Sequence, residues 1–503
     1  MSRPALAVLF AAVLLAPAAT SWARGSAAPL PAADTGTSIE AQAAHAERLM
    51  DDGRVLEASL ALDTLLADPR LDSAPVDVRV QALSAAAYAA GALRQYPLAT
   101  ERAQRAIALA PDAVLPLFTL SSIESAQGHA KPAAMLMVRA IGHAVGPLRI
   151  PLDHVDQMQR GLIQAPMERR ELLQALFDNH WLSDGDEPSD LWLILAGLQH
   201  DAGNGDAVRA TIARIDGPME LIQLRSDKRF DAYIDRADPR FNPRMAAQRQ
   251  LDAQRVRASL NQDVDASLAR LAAAALMLGD NAQVMAITDD TAKAVAEGLH
   301  FVGPQLKWGP ALLASRATAQ HRLGQPDAAV DTLRIAVRMT EGTPHASVQQ
   351  LNLGLLLTAL GRYEEAQAAV ATTAPLTGYA TAQRHYIRFI AAQQRGDKTA
   401  AADAARGVSE QGPAAADLLY QLPLAAGRMN EATVMLIVQL ESVKLRSSAL
   451  LALQEMRNAP TLPADAALQA RWRELVARPE VQAALAEVGR IDRYDLFASD
   501  RIR

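Results

Sequence analysis

In Leu353-Gly354-Leu355-Leu356-Leu357-Thr358-Ala359-Leu360-Gly361-Arg362-Tyr363-Glu364-Glu365-Ala366 two apolar helical segments meet across a glycine turn. Two helices cross closely only where side chains are small, and Gly354 and Ala366 supply such positions on either side of a break. Gly361 permits the tight turn between them, because glycine reaches backbone conformations that other residues avoid. One hairpin of this kind cannot bury its own apolar face, so hairpins must stack.

Working outward, a glycine with alanine five places later recurs at Gly53/Ala58, Gly128/Ala133, Gly324/Ala329, Gly361/Ala366, Gly396/Ala401 and Gly427/Ala432. The last four glycines lie 37, 35 and 31 residues apart. Stacked helical hairpins repeat at about 34 residues. Leu333 and Ala336 follow Ala329, Val370 follows Ala366 and Leu436 follows Ala432, offsets of four and seven that fall on one helical face.

These residues resemble the tetratricopeptide repeat. Its Leu-Gly pair, second glycine, turn tyrosine and small alanine correspond to Leu353, Gly354, Gly361, Tyr363 and Ala366. The repeat at Gly396 keeps Ala401 and ends at Pro413, and the one at Gly427 keeps Ala432. A repeat ending at Pro111 keeps Tyr96, Ala99 and Ala106 but has Arg94 where the turn glycine belongs, and none has the early tryptophan. The resemblance implies an all-α solenoid, a right-handed superhelical stack of antiparallel hairpins, here as two arrays with an irregular junction. It also implies that one helix of each pair lines a concave groove. The groove candidates are His321 and Arg322, then Gln383, Tyr386, Gln393 and Gln394, then Asp417 and Gln421.

Helical patterning places hairpins at 40–66, 76–109 and 115–143, then a looser register at 146–217 with helices within 163–181, 190–200 and 207–215. A break is expected at 221–243, where Asp227-Lys228-Arg229-Phe230 and Asp238-Pro239-Arg240-Phe241 repeat Asp-x-Arg-Phe eleven residues apart. In one reading Phe230 and Phe241 are apolar plugs; in the other Arg229 and Arg240 contact an acidic partner or glycan. Helices resume at 245–260, 264–278 and 282–297. A Gly/Pro-rich loop is expected at 300–310, eight further helices at 312–441, and a helical cap at 444–503. The expected domains are therefore 38–243, 244–443 and 444–503.

Ahead of these, Arg3, the apolar run Ala5 to Ala16 and the small residues Ser21 and Ala23 read as a secretory signal at 1–23, followed by a disordered spacer at 24–37. The run is too short to span a bilayer, which needs about 20 residues. Export to a periplasm is expected, the alternative being an uncleaved signal anchor. The absence of cysteine excludes disulfides, thiolate catalysis and a lipoprotein anchor. Six lysines against 44 arginines, with abundant alanine, suggest a GC-rich bacterial genome. Half the residues are hydrophobic yet only 4% aromatic, which favours thin alanine-packed helical layers over a sheet core. The net charge of −6 argues against a nucleic-acid binder and against adhesion to anionic lipid.

Little catalytic chemistry is legible. The ten histidines show no His-x-x-x-His spacing, so no metal or cofactor is expected. The acidic stretch Asp184 to Asp190 lacks the glycine and closing glutamate of a calcium loop and reads as a helix start capped by Ser189 or Asp190. Glu441-Ser442 matches the pair used by lytic transglycosylases, but no glycine-rich segment follows and only about 60 residues remain. The sequence therefore points to a non-enzymatic scaffold binding protein or peptide in the cell envelope. The alternatives are an accessory factor for envelope polysaccharide export or peptidoglycan remodelling that contacts glycan, and a cryptic hydrolase or lyase built on His154, His180 and Asp184.

Overall fold

The computed structural model describes residues 38–498 apart from 184, 261–265, 302–304, 344, 372–375 and 377. The signal expected at 1–23, the spacer expected at 24–37, Asp184, Gly303 and Pro304 lie outside the described residues. The chain divides into two compact units after Ile215. The first contains α1 (Ile39–Asp51) and α2 (Val55–Leu66), α3 (Val76–Ala92) and α4 (Tyr96–Leu109), α5 (Val114–Ala126) and α6 (Ala130–Gly142), α7 (Leu152–Gly161) and α8 (Pro166–Asp178), and α9 (Ser189–Asp201) and α10 (Gly205–Ile212). Each pair is an antiparallel hairpin packed on the next.

The second unit opens with α11 (Pro218–Ser226) and α12 (Pro243–Leu260). Hairpins follow: α13 (Ala266–Leu278) with α14 (Asn281–Ala296), α15 (Gln305–Arg322) with α16 (Pro326–Met339), α17 (Ala346–Ala359) with α18 (Tyr363–Ala369), and α19 (Gly378–Arg395) with α20 (Lys398–Ser409). Then come α21 (Ala416–Leu419), α22 (Gln421–Ala425), α23 (Met429–Glu441), α24 (Arg446–Leu453), β1 (Glu455–Arg457), α25 (Asp465–Ala477), α26 (Pro479–Val488) and β2 (Arg493–Phe497). The fold is an all-α solenoid of stacked antiparallel hairpins with one two-stranded parallel sheet, β1 against β2.

The glycine–alanine signature has a direct physical counterpart. Gly53, Gly128, Gly324, Gly361, Gly396 and Gly427 all adopt left-handed backbone, with φ between 71 and 81°. Ala58, Ala133, Ala329, Ala366, Ala401 and Ala432 are all buried where the second helix meets the first. A Cβ on Gly354 would stand 2.9 Å from Val370 Cγ1 and 3.0 Å from Ile387 Cδ1, which explains the small residue there. Three turns share a further pattern absent from the sequence reading, Gly-Arg-x-x-Glu. Arg54 pairs with Glu57 at 2.9 Å, Arg362 with Glu365 at 2.7 Å and Arg428 with Glu431 at 2.9 Å. Solvent screens these exposed pairs, so they add little to stability and mainly fix the turn geometry. Inside the hairpins, side-chain hydrogen bonds twelve residues apart tie helix to helix. Thr211 donates to Gln199 at 2.9 Å, Thr332 to Gln320 at 2.8 Å and Ser121 to the Ala133 carbonyl at 2.7 Å.

Arg94 occupies the left-handed turn position that glycine fills at Gly53, Gly128, Gly324, Gly361, Gly396 and Gly427, with φ 60°. An L-residue there costs about 1–2 kcal/mol, against about 0.5–1 for the extra freedom of glycine in the unfolded chain. Arg94→Gly is therefore expected to stabilise the protein by about 0.5–1 kcal/mol, read as a higher urea midpoint with unchanged slope.

Four expectations change. The stretch 146–217 contains two complete hairpins, because α7 precedes the expected long helix. Residues 305–310 are the first turns of α15: Gly309 is there for close packing, its Cβ position lying 2.4 Å from the Phe301 ring, and Pro310 sits early in the helix. At the start of α9, Pro188 holds the N-cap position, without a side-chain cap. The last 60 residues carry two strands beside their helices, and α24 packs on α11 at the opposite end of the unit.

Candidate functional site

The stretch 221–243 belongs to the second unit and is the seat of its C-terminal segment. Asp227 and Asp238 each start a short 3-10 turn by accepting from the backbone N–H two residues on, at 2.9 Å from Arg229 and 2.8 Å from Arg240. Phe230 and Phe241 are buried plugs. Arg229 also holds Asp227 through Nη2 to Oδ2 at 2.7 Å, and the Arg240 guanidinium lies 4.6 Å from the Phe241 ring centroid. Around this scaffold the tail is gripped at several points. The Arg490 N–H donates to the Ser226 carbonyl at 3.0 Å and its guanidinium to Asp231 Oδ1 at 2.7 Å. Arg236 pairs with Asp492, and Lys228 donates to the Ala486 carbonyl. Gln454 holds the same segment from the other side, donating to the Arg490 carbonyl at 3.0 Å and accepting from the Asp492 N–H at 2.9 Å.

Beyond Asp492 runs the strand β2. Tyr494, Leu496 and Phe497 are buried, and Arg493 and Asp495 face outward. Phe497 lies between two guanidinium groups, Arg322 at 4.0 Å and Arg457 at 4.6 Å from its centroid. Both arginines also donate to carbonyls at the end of α13, Arg322 to Leu276 at 2.5 Å and Arg457 to Leu278 at 3.3 Å. Cations at a helix C-terminus meet its negative dipole end, which favours this arrangement. Asp495 accepts from Arg244 at 2.5 Å.

The connection between β1 and α26 also follows the ends of the hairpin helices. The Ala464 N–H donates to the Ala359 carbonyl at 3.0 Å, and Leu462 joins the core of α15, α17 and α19. Arg471 donates to the Ala425 carbonyl at 2.6 Å, and Trp472 stacks on Tyr420 with centroids 5.5 Å apart. Asp465, half-buried at the start of α25, has its carboxyl pushed up to about 6 by loss of solvent. Burial, with the charge of Asp465 second, raises the Tyr386 hydroxyl far above its ordinary value.

An aspartate whose folded pKa exceeds its unfolded one favours the fold less as pH rises through the interval between them. Below pH 4 this penalty is absent, and above pH 6 it is complete. Asp465→Asn is therefore expected to raise stability by about 1 kcal/mol at pH 7, after allowance for screening at a half-exposed group, and to change nothing at pH 4. Urea unfolding of both proteins at the two pH values checks it.

The sequence-derived candidates scatter. Arg322 meets the tail at Phe497. Tyr386 is buried near Asp465, Tyr420 and Tyr379. His321 is buried, its Nδ1 has no hydrogen-bond partner among the described residues, and burial followed by the neighbouring Arg322 charge lowers its pKa. Gln383, Asp417 and Gln421 are half-buried, and Gln394 is exposed. Gln393, also exposed, lines an open cleft of about 420 Å³ between α20 and α23, with Lys398, Arg406, Arg428 and Glu431. A second open cleft, of about 630 Å³, lies in the first unit against Arg170, Glu171 and Asp178. Sequence reasoning missed Arg244, Arg457, Asp465 and Gly489, whose roles depend on partners far along the chain. The repeated Asp-x-Arg-Phe motif was the signal that marked their seat.

His154 packs against Phe118 at 6.2 Å, and His180 follows α8 in left-handed backbone. Among the described residues no group of three or more His, Asp or Glu side chains is placed to hold a metal. Glu187, in the acidic stretch, instead accepts from Trp192 Nε1 at 2.6 Å and from Arg214 Nη2 at 2.9 Å.

No protein-family profile matches the chain, and no curated protein matches its sequence. Among solved structures, the crystal structure of Rap protein complexed with competence and sporulation factor is similar at 12% identity and TM-score 0.34, covering 89% of this chain and 98% of that one. The structure of Naa15/Naa10 bound to HypK-THB is similar at 11% identity and TM-score 0.29, covering 80% of this chain and 68% of that one. With superpositions this distant, the fold is read from the chain's own hairpins: an all-α, tetratricopeptide-like solenoid.

Proposed function

We propose that this protein is an exported, periplasmic scaffold that binds protein or peptide partners in the cell envelope and performs no catalysis itself. The observation that carries the reading is the stack of hairpins, with a small alanine buried just past six of the turns. That construction spreads polar and apolar side chains over an extended surface with open clefts, which suits peptide segments making many modest contacts. Protein is favoured over glycan because the aromatics that would stack on a sugar, Tyr386 and Tyr420, are buried, with Trp472 lying over Tyr420. Export is supported by the Arg3, Ala5–Ala16 and Ala23 pattern. No helix among the described residues is long and apolar enough to cross a membrane.

Affinity capture from the envelope fraction of the native host, with the full-length protein as bait, is expected to retain a specific protein partner. The mature bait is expected to begin at Arg24 by mass spectrometry. Retention of nothing above background, together with turnover of peptidoglycan by the purified protein, would overturn the scaffold reading.

A further inference from the structure

The seat of β2 has the features of a peptide-recognition site. The strand runs in extended conformation and pairs in parallel with β1, with Tyr494, Leu496 and Phe497 buried, and pairing with a sheet edge is how strand-addition binders hold their ligands. The contacts are specific in chemistry. An aromatic ring is clamped between Arg322 and Arg457, and a carboxylate two residues earlier meets Arg244, with Arg457 Nε 3.7 Å away. Gly279 is left-handed, with φ 80°, and a Cβ there would lie 2.7 Å from the Phe497 ring, so this turn leaves room for the aromatic. Two guanidinium groups, those of Arg244 and Arg457, face the one carboxylate, and a third, that of Arg322, faces the ring. The rim is accessible, the Arg244 and Asp495 side chains being 52 and 63% exposed.

We propose that this seat is a recognition site for an extended segment carrying an acidic residue two positions before a phenylalanine, filled in cis by Tyr494-Asp495-Leu496-Phe497 and presented in trans by a partner protein. The inference rests on the interaction-scaffold reading and names the partner chemistry for one of its surfaces. Because the tail is tethered, it competes at high local concentration, and a partner binds with an affinity reduced by the fraction of time the seat is open. The tail is thereby a built-in competitor that raises the threshold for binding.

The test uses the full chain and a fluorescein-labelled peptide of residues 490–498, read by anisotropy. Wild-type protein is expected to bind weakly, and the Asp495→Ala, Phe497→Ala double variant at least about tenfold more tightly. Replacing the aspartate or the phenylalanine in the peptide is expected to weaken binding at least tenfold, as is adding Arg244→Gln to the double variant. If the double variant fails to fold by circular dichroism, Arg490→Gln, which loosens the tail by cutting its pair with Asp231, is expected to give a smaller gain in the same direction. Equal binding to wild-type and variant, or indifference to the peptide's aspartate and phenylalanine, overturns the proposal. A chain that captures envelope proteins but ignores the peptide loses this inference alone. One that takes the peptide, retains no cellular protein and turns over peptidoglycan loses the scaffold reading and, with it, the partner in trans, leaving only the cis role of the seat.

Discussion

Gly489→Val is expected to lower the stability of the second unit by about 3 kcal/mol, the upper end of what overpacking a tight site costs. A Cβ at this position would lie 2.4 Å from Leu450 Cδ2 and 2.6 Å from the Ser226 carbonyl oxygen. Leu450 is buried in the α23–α26 core, and the Ser226 carbonyl ends α11 and already accepts from the Arg490 N–H. Neither neighbour can yield without unseating the tail. The diagnostic readout is where the damage is felt. In an open solenoid, stability is a sum of neighbour terms and a lesion near the C-terminus stays local. Here the tail ties the last helices to α11 and α12, so hydrogen exchange is expected to quicken in residues 218–260, more than 200 residues away in sequence. Loss of protection confined to residues after 440 would refute the closure.

Trp192→Ala is expected to cost about 3–5 kcal/mol in the first unit, the range for removing a fully buried large aromatic. The indole is buried on α9, meets Phe177 edge-on at 5.2 Å and lies 5.2 Å from the Arg214 guanidinium. Its Nε1 donates to Glu187, so truncation removes both packing volume and a hydrogen bond to a charged group. The neighbouring pair Arg214–Glu187 is largely shielded, its side chains 17 and 29% exposed, which is why losing the ring also weakens the ion pair. Trp192→Phe keeps most of the packing and is expected to cost about 1–2 kcal/mol, the share of the lost hydrogen bond. Urea denaturation followed by circular dichroism measures both. Equal costs for the two substitutions would refute the role of the Nε1 bond.

The hairpin stack was legible because its causes are local. A left-handed glycine at Gly361 and a buried alanine at Ala366 are five residues apart, and both follow from how two adjoining helices meet. Arg94 was the informative exception, since the chain keeps the backbone conformation there without the residue that favours it. Misreadings arose where one residue type serves two purposes. Gly309 and Pro310 resemble loop punctuation, yet Gly309 is small so that Phe301 can lie against the helix. Of the two readings of the Asp-x-Arg-Phe copies, the one with Phe230 and Phe241 as apolar plugs matches their burial; what the sequence did not show is that the basic and acidic residues among them hold the tail.

The all-α class, the hairpin period and the turn positions could be read from the residues alone, because these depend on neighbours within one or two helical turns of each other. It took the folded chain to bring Phe497 to Arg322 and Arg457, Gly489 against Ser226 and Asp465 near Tyr386. Those contacts join residues separated by tens to hundreds of positions, and no periodicity encodes a contact made only when the chain's last strand returns to the first helices of its unit.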